Sequence, residues 1–240
     1  MKQLLFFIIA AGCLFVTACK KSEGGTTRLF VYNATHSIAG LSANWNGNSI
    51  TTNPLAQAQF SGSATAPYVP LPAGTNNIVA RTTNKVFLDK NAYTAVGNAY
   101  TLLVYDTSKT DSSLSTLLLT DDLTLPDTAS AKCRVINCVA DTTTLLAVLL
   151  NKKDTLAFPA TASSFIGRAP ATSTVQAFAS VKKGTYLFLM VEKYTSLIVY
   201  TATDSVALTA QSIHSLFYSG LKTGTGAAGI KFNAITHPVN

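Results

Sequence analysis

Three histidines and a small group of acids are the side chains in this sequence that could bind a metal ion. His36, His214 and His237 lie far apart, and none has a cysteine or carboxylate at the short spacing typical of zinc ligands. We interpret them as strand-end or loop histidines, with a site assembled by the fold as the alternative. The acids at 121–122 and 127 could bind Ca²⁺, but acids at a domain joint are typical of solvated turns. The sequence predicts no metal and no cofactor.

Nucleotide binding and covalent catalysis are the other chemistries that a local motif could reveal. Residues 224–229 spell G-x-G-x-x-G, which in a dinucleotide fold leads from a strand into a helix. The residues that follow, 230–240, have the pattern of a strand, so we interpret the motif as a glycine-rich hairpin loop. No G-x-S-x-G elbow occurs and no pair of acids stands out. We therefore predict a protein that is not an enzyme, with an uncharacterised envelope enzyme as an alternative.

Cys19 ends an amino-terminal segment with the features of a secretory signal. A positive start is followed by an apolar stretch over residues 4–15 and then by Val16, Thr17, Ala18 and Cys19. These four residues resemble the bacterial lipobox, in which cleavage precedes the cysteine and both its thiol and its new amino group are acylated. The alternative is an ordinary signal peptide cut nearby. We expect lipidation at Cys19, and hence a protein anchored by lipid in the cell envelope, at the outer membrane.

Composition limits the rest of the chain. An apolar content of 48% and a mean hydropathy of +0.28 exclude a disordered polymer, and the charged residues amount to 12%. The net charge of +7 is spread thinly, so we expect no nucleic-acid partner. We divide the chain into a signal peptide (1–18), a lipidated tether (19–26) and two domains (27–125 and 131–240).

Short apolar runs broken by Gly, Pro, Asn and Asp indicate an all-β chain. The run at 29–34 is echoed at 133–138, and further echoes follow in the same order, such as 102–104 at 216–218 and 119–120 at 235–236. About seven strands in each hundred residues predict a pair of tandem antiparallel β-sandwich domains. In the first copy, Asn46-Gly47 predicts a type I′ hairpin turn.

The two cysteines of the mature chain lie in the apolar run 131–139. If this run is a strand, Cys133 and Cys138 lie on opposite faces, roughly 16 Å apart, which is too far for a disulfide. We interpret both as small packing residues.

Several stretches resemble a bacterial secreted module, domain of unknown function 4397. They are CRVIN at 133–137, the preceding LLTDDL at 118–123, VPLPAGT at 69–75 and GNAYTL at 97–102. The likeness runs through both copies, although Lys182-Lys183-Gly184 replaces the Pro-Ala-Gly of the first copy. The resemblance implies an immunoglobulin-like β-sandwich on an anchored or secreted envelope protein, and it brings no catalytic residues with it.

Two aromatic residues are weak candidates for ligand binding. Trp45 adjoins the 46–47 turn, where an indole could stack on a sugar or a protein face, although its alternation with Ala43 fits a core position better. Tyr68 is similarly ambiguous. A glycan or another envelope protein is therefore a candidate partner.

Four Asp-Thr or Asp-Ser pairs resemble the acceptor sequence of general O-glycosylation in Bacteroidota envelope proteins. The acceptors would be Thr128, Thr142, Thr155 and Ser205. The same pairs are also favoured in Asx turns for backbone reasons alone.

Taken together, the residues predict a lipid-anchored, non-catalytic module for binding, adhesion or spacing. A glycan-binding accessory lipoprotein is the alternative from another class.

Overall fold

The fold is a stack of four β-sheets. It is described here from a computed structural model, over residues 24–110, 113–141, 145–150, 155–157, 165–167, 172–192 and 194–239. The all-β prediction is confirmed: the described helices are only a short α1 (Thr172–Gln176) and one 3₁₀ turn (Gly226–Ala228). Among the described residues, no helix combines the length and the apolar character that crossing a bilayer requires.

The first half of the chain forms sheets A and B. Sheet A has the order β3-β2-β5-β6 and sheet B the order β4-β1-β7-β8. The strands are β1 (Thr26–Asn33), β2 (Ser42–Trp45), β3 (Asn48–Ser49), β4 (Val69–Pro72), β5 (Gly74–Arg81), β6 (Val86–Thr94), β7 (Ala99–Asp106) and β8 (Leu114–Asp121).

The second half forms sheets C and D. Sheet C has the order β12-β9-β16-β17, and sheet D has the order β11-β10-β13-β14, with β15 also paired to β13. The strands are β9 (Ser130–Val139), β10 (Leu145–Leu150), β11 (Thr155–Ala157), β12 (Ala179–Lys182), β13 (Gly184–Glu192), β14 (Ile198–Thr201), β15 (Val206–Leu208), β16 (Ile213–Gly220) and β17 (Lys231–His237).

Sheets B and C share both connectivity and register. In each, the first strand pairs in parallel with a later one, β1 with β7 and β9 with β16, while the other pairings are antiparallel. The registers Arg28–Ala99–Asp121 and Lys132–Ile213–His237 are equivalent. The parallel pairs depart from the purely antiparallel prediction, because each amino-terminal strand lies in the middle of its sheet.

Three apolar cores separate the four sheets. Alternation along β1 sends Leu29 and Val31 into the core between A and B, and Phe30 and Tyr32 into a central core between B and C. In β9, Cys133 lies in the core between C and D, and Cys138 lies in the central core. The prediction that the two cysteines occupy opposite faces is confirmed, and both thiols are free and buried.

Two predicted turns are also confirmed. Asn46 and Gly47 have φ values of 49° and 81°, the pair of positive angles that a type I′ turn requires, and they join β2 to β3. The glycine-rich segment 224–229 lies in the loop between the antiparallel strands β16 and β17. It is a hairpin loop, as interpreted from the sequence.

Trp45 tests the packing between sheets A and B, because its indole is 2% exposed among Leu29, Ala43 and Ile78. We expect Trp45→Ala to lower the free energy of unfolding by about 3–5 kcal/mol, since truncation leaves a large cavity. The measurement is denaturant unfolding. Leu197→Ala is the matched control: Leu197 is 62% exposed, and its truncation should change stability by no more than about 0.5 kcal/mol. Equal losses for the two variants would contradict the core placement.

Candidate functional site

A buried ion pair joins sheets B and C. Arg134, in the middle of β9, faces the central core with 1% of its side chain exposed, and Asp121, at the end of β8, has none exposed. Arg134 Nη2 lies 2.7 Å from Asp121 Oδ1. A charge removed from water requires a partner, so each of these residues makes burial of the other tolerable.

Four neutral side chains close this pair into a ring. Arg134 Nε donates to Ser215 Oγ at 2.7 Å, and Arg134 Nη2 donates to Thr101 Oγ1 at 2.9 Å. Thr101 Oγ1 and Tyr68 Oη each donate to Asp121 Oδ2 at 2.7 Å. His237 completes the ring, with Nδ1 2.8 Å from Tyr68 Oη and Nε2 2.7 Å from Ser215 Oγ. We call these six residues the interface ring.

The hydrogen bonds of the ring define the state of His237. Because Tyr68 donates its proton to Asp121, its oxygen accepts from His237 Nδ1–H. Because Ser215 accepts from Arg134, its hydroxyl proton is free to bond to His237 Nε2. Both relations are satisfied by a neutral imidazole that carries its proton on Nδ1. Burial lowers the pKa of His237 to about 3, with the nearby Asp121 opposing the shift, so the neutral form holds at physiological pH.

The Ser215–His237 contact has the length of a nucleophile and its general base, but not the setting. Ser215 is fully buried, its oxygen already accepts from Arg134, and the imidazole is 2% exposed. A substrate could not reach the hydroxyl without separating sheets B and C. The contact therefore lies within sheet C on its buried face against sheet B, where a substrate cannot reach it.

Aromatic rings surround the charged part of the ring. The Arg134 guanidinium lies 4.6 Å from the centroid of Phe178, a cation–π distance, and Phe178 meets His237 edge to face. Arg134 Nη1 is buried without a hydrogen-bond partner among the described residues. The cation–π contact with Phe178 thus stabilises the guanidinium where Nη1 has no hydrogen bond.

The interface ring is built from equivalent positions that carry complementary chemistry. The shared register makes Phe30 equivalent to Arg134, Thr101 to Ser215, and Asp121 to His237. Across the interface, Arg134 meets Asp121, while at the equivalent place Phe30 meets His237 edge to face. One contact is ionic and the other is aromatic. The side chains of sheet B are therefore complementary to those of sheet C, and not to those of a second sheet B.

The structure corrects the interpretation of the acids near the domain joint. Asp121 is buried and bonded inside the ring, so it is not a solvated turn residue. The other two acids do lie at the surface: Asp122 pairs with Lys132 at 2.9 Å, and Asp127 accepts from the backbone N–H of Ala129. Asp121 differs from these two acids because it is the last residue of a strand that faces sheet C, and its side chain is therefore buried.

The histidines also have specific partners. His214 and His237 lie in neighbouring strands and are buried, and His36 lies in the loop after β1, where its Nδ1 is 2.8 Å from Asp106 Oδ2. Among the described residues, no group of three or more His, Cys, Asp or Glu side chains is arranged to hold a metal ion. The three histidines thus occupy strands and a loop, as the sequence indicates.

The weak binding candidates lie inside the protein. Trp45 is 2% exposed in the core between sheets A and B, and Tyr68 is 8% exposed in the interface ring. Neither ring offers a free face to a ligand in this conformation, so the structure favours the core interpretation of Trp45. For Tyr68 it corrects the binding interpretation, because the phenol is committed to Asp121 and His237.

The candidate modification sites have mixed positions. Thr128 and Ser205 are exposed, and Thr155 begins β11. Cys19 and Thr142 lie outside the described residues. Lipidation and glycosylation at these positions stay predictions.

Sequence reasoning missed the ring residues Arg134, Thr101 and Ser215. A usable signal was present, since Arg134 lies between Cys133 and Val135 inside the apolar run 131–139, and a cation at such a position needs a buried partner. The identity of that partner had no local signal.

Comparison with known proteins finds a family that the first half of the chain resembles. Residues 29–147 match the model of the family described as "Domain of unknown function (DUF4397)", so this part of the chain is similar to a module of that family. The match begins in β1 and ends within β10. No curated protein sequence matches the chain significantly.

Among solved structures, the chain is similar at low identity to a family 26 carbohydrate-binding module of Eubacterium rectale Amy13K in complex with maltoheptaose. That match has 10% identity and a TM-score of 0.25, and it covers 84% of this chain and 99% of the other. The tip fimbrial protein Mfa3 of Porphyromonas gingivalis matches at 10% identity with a TM-score of 0.28, over 88% of this chain and 99% of that one.

Arg134→Met tests the ion pair. We expect it to lower the free energy of unfolding by about 3–5 kcal/mol, because it leaves Asp121 charged and buried without its counterion. Adding Asp121→Leu to this variant should recover most of the loss in denaturant unfolding. Lys132→Met, which breaks the surface pair with Asp122, should cost no more than about 1 kcal/mol. A double variant no more stable than Arg134→Met alone would refute this account.

The depressed pKa of His237 predicts a stability that depends on pH. The unfolded chain takes up the imidazole proton near pH 6.5, whereas the folded protein resists it until about pH 3. The unfolded state thus binds more protons in this window, and stability present above pH 6.5 is lost as the pH falls, by about 1.4 kcal/mol per pH unit. His214, whose pKa burial lowers to about 4, adds a slope of the same sign.

His237→Gln should therefore remove about half of the slope between pH 4.5 and 6, measured by denaturant unfolding at a series of pH values. An unchanged slope would show that His237 is not held neutral in the folded protein.

Proposed function

We propose that this protein is a lipid-anchored, non-catalytic module of the bacterial envelope, which holds a binding surface at a fixed distance from the membrane. The anchor is Cys19, acylated after removal of residues 1–18, and the tether is 19–26. The proposal combines the lipobox-like sequence with one structural observation. The parallel strands β1 and β7, and likewise β9 and β16, all run away from the end of the molecule at which the tether lies.

That observation comes from the registers. β1 and β7 start at the same end of sheet B, and β9 and β16 start at the same end of sheet C. The contacts Arg134–Thr101 and Asn233–Tyr32 place these starts side by side, at the end where β1 begins after the tether. The loops after β1 and before β17 lie at the opposite end, which we call the distal end. Eight residues of strand separate the two ends by about 26 Å.

The interface ring and the central core support a spacing role, because they make one unit of the two sandwiches. Sheets B and C bury Phe30, Tyr32, Ile136 and Phe217 between them, with the rings of Tyr32 and Phe217 stacked at 4.1 Å. A joint of this kind keeps the distal loops in a fixed orientation to the tether.

The glycan-binding alternative requires an exposed aromatic platform. Among the described residues, the aromatic side chains that are most exposed are Tyr93 at 60% and Tyr194 at 83%. Tyr93 lies near the end of β6 beside the tether, and Tyr194 follows β13 at the distal end of the other sandwich. They do not form a common platform, so the geometry favours the spacing and binding role.

Intact mass of the native protein tests the anchor. We expect a chain that begins at Cys19 and carries acyl groups, and we expect Cys19→Ala to abolish the added lipid and release the protein from membranes. Cys13→Ala is the matched control, since Cys13 lies within the apolar stretch of the signal and its loss should leave acylation intact. A native chain that retains Met1 and carries no lipid would contradict the proposal. Further mass on peptides containing Thr128, Thr142, Thr155 or Ser205 would reveal glycosylation.

A further inference from the structure

A pocket at the distal end lies between the two sandwiches. Its volume is about 480 Å³, and its walls come from residues 36–39 and 56–57 of the first half and from 227–228 and Lys231 of the second. The two sandwiches must pack together to form it, so the interface ring and the pocket belong to the same joint.

Two of the lining residues, Lys231 and Gln57, carry nitrogen groups that lack partners among the described residues. Lys231 Nζ makes no ion pair or hydrogen bond within the described part of the chain, and it sits at the start of β17 beside the pocket. Gln57 Nε2 is buried without a hydrogen-bond partner among the described residues. A buried amide donor without a partner is costly, and an oxygen of a bound ligand would satisfy it.

The acid nearest to the pocket is already occupied. Asp106 Oδ2 accepts from the backbone N–H of His36 at 2.6 Å and contacts His36 Nδ1, and its Oδ1 accepts from Ser37 Oγ. Asp106 thus holds the backbone of His36 and the hydroxyl of Ser37, and its carboxylate is committed to this loop. Within the described residues, none that lines the pocket is acidic, so the polar part of the lining suits an anion.

The remaining walls are small and apolar. Ile38, Ala39, Ala56, Ala227 and Ala228 line the pocket, and none of the described lining residues is Phe, Tyr or Trp. One unpaired cation and one amide donor match the charge and the two oxygens of a single carboxylate. We propose that this pocket binds a small monocarboxylate with an apolar body, its carboxylate on Lys231 and Gln57. The inference rests on the binding role proposed above and gives that role a chemical class.

The alanine methyl groups that line the pocket can report ligand binding in the full chain, through changes in their NMR chemical shifts. Hexanoate, 1-hexanol and hexylamine are matched probes that differ only in the head group. In the full-length protein labelled with ¹³C at alanine methyls, we expect hexanoate to shift Ala56, Ala227 and Ala228 at millimolar concentrations and to leave the buried core methyl of Ala80 unchanged. Hexylamine should produce shifts only at concentrations at least tenfold higher.

Lys231→Met should weaken hexanoate binding about five- to tenfold, because it keeps the length of the side chain and removes its charge. Lys90→Met is the control, since Lys90 lies exposed on β6, and it should bind like the parent. Gln57→Leu is a second variant that should also weaken binding, and the distant alanine methyls show whether each variant is folded.

Equal shifts with all three probes, shifts that persist in Lys231→Met, or the absence of shifts at the pocket methyls would each overturn the inference. None of these results bears on the anchor, because acylation of Cys19 is measured separately by mass.

Discussion

The structure depends on burying one ion pair between two sheets that could otherwise separate. Arg134 and Asp121 come from different sandwiches, and each would be an uncompensated charge in an apolar core without the other. Separation of the sheets with the sandwiches intact would expose the central core to water and break the contacts that cross it, which are Arg134–Asp121, Arg134–Thr101 and Tyr68–His237. Thr101, Ser215 and Tyr68 make the pair more tolerable by hydrogen-bonding Arg134 Nε and Nη2 and Asp121 Oδ2, and His237 holds Tyr68 and Ser215 in place.

The ring also accounts for the difference between two sheets of the same connectivity. Equivalent positions hold Phe30 and Arg134, or Asp121 and His237, so the interface is complementary although the backbones correspond. A second copy of sheet B in place of sheet C would remove the partner of Asp121, and a second copy of sheet C would remove the partner of Arg134. Specificity at this joint is therefore a matter of a few side chains on a common frame.

Local patterns in the sequence were sufficient to predict local structure. The Asn46-Gly47 turn, the opposite faces of Cys133 and Cys138, and the hairpin nature of 224–229 all follow from backbone preferences or from the period of a strand. The central position of β1 and β9 did not follow, because parallel pairing with a strand some 70 to 80 residues away leaves no short-range signal. The interface ring could not be predicted for the same reason. Arg134 and His237 are far apart in sequence, and the sequence around Asp121 resembles that of any acid in a turn.

The place of β1 in sheet B also determines how the molecule would bear mechanical load. β1 is hydrogen-bonded to β4 on one side and to β7 on the other, and it is the first strand after the tether. With the proposed anchor at Cys19, a pull toward a partner held at the distal end would act along this strand, so the bonds on both of its edges would be strained in shear together. An edge strand in the same position would instead peel away one bond at a time. With the proposed anchor at Cys19, the load would enter the fold through a strand that is hydrogen-bonded on both of its edges.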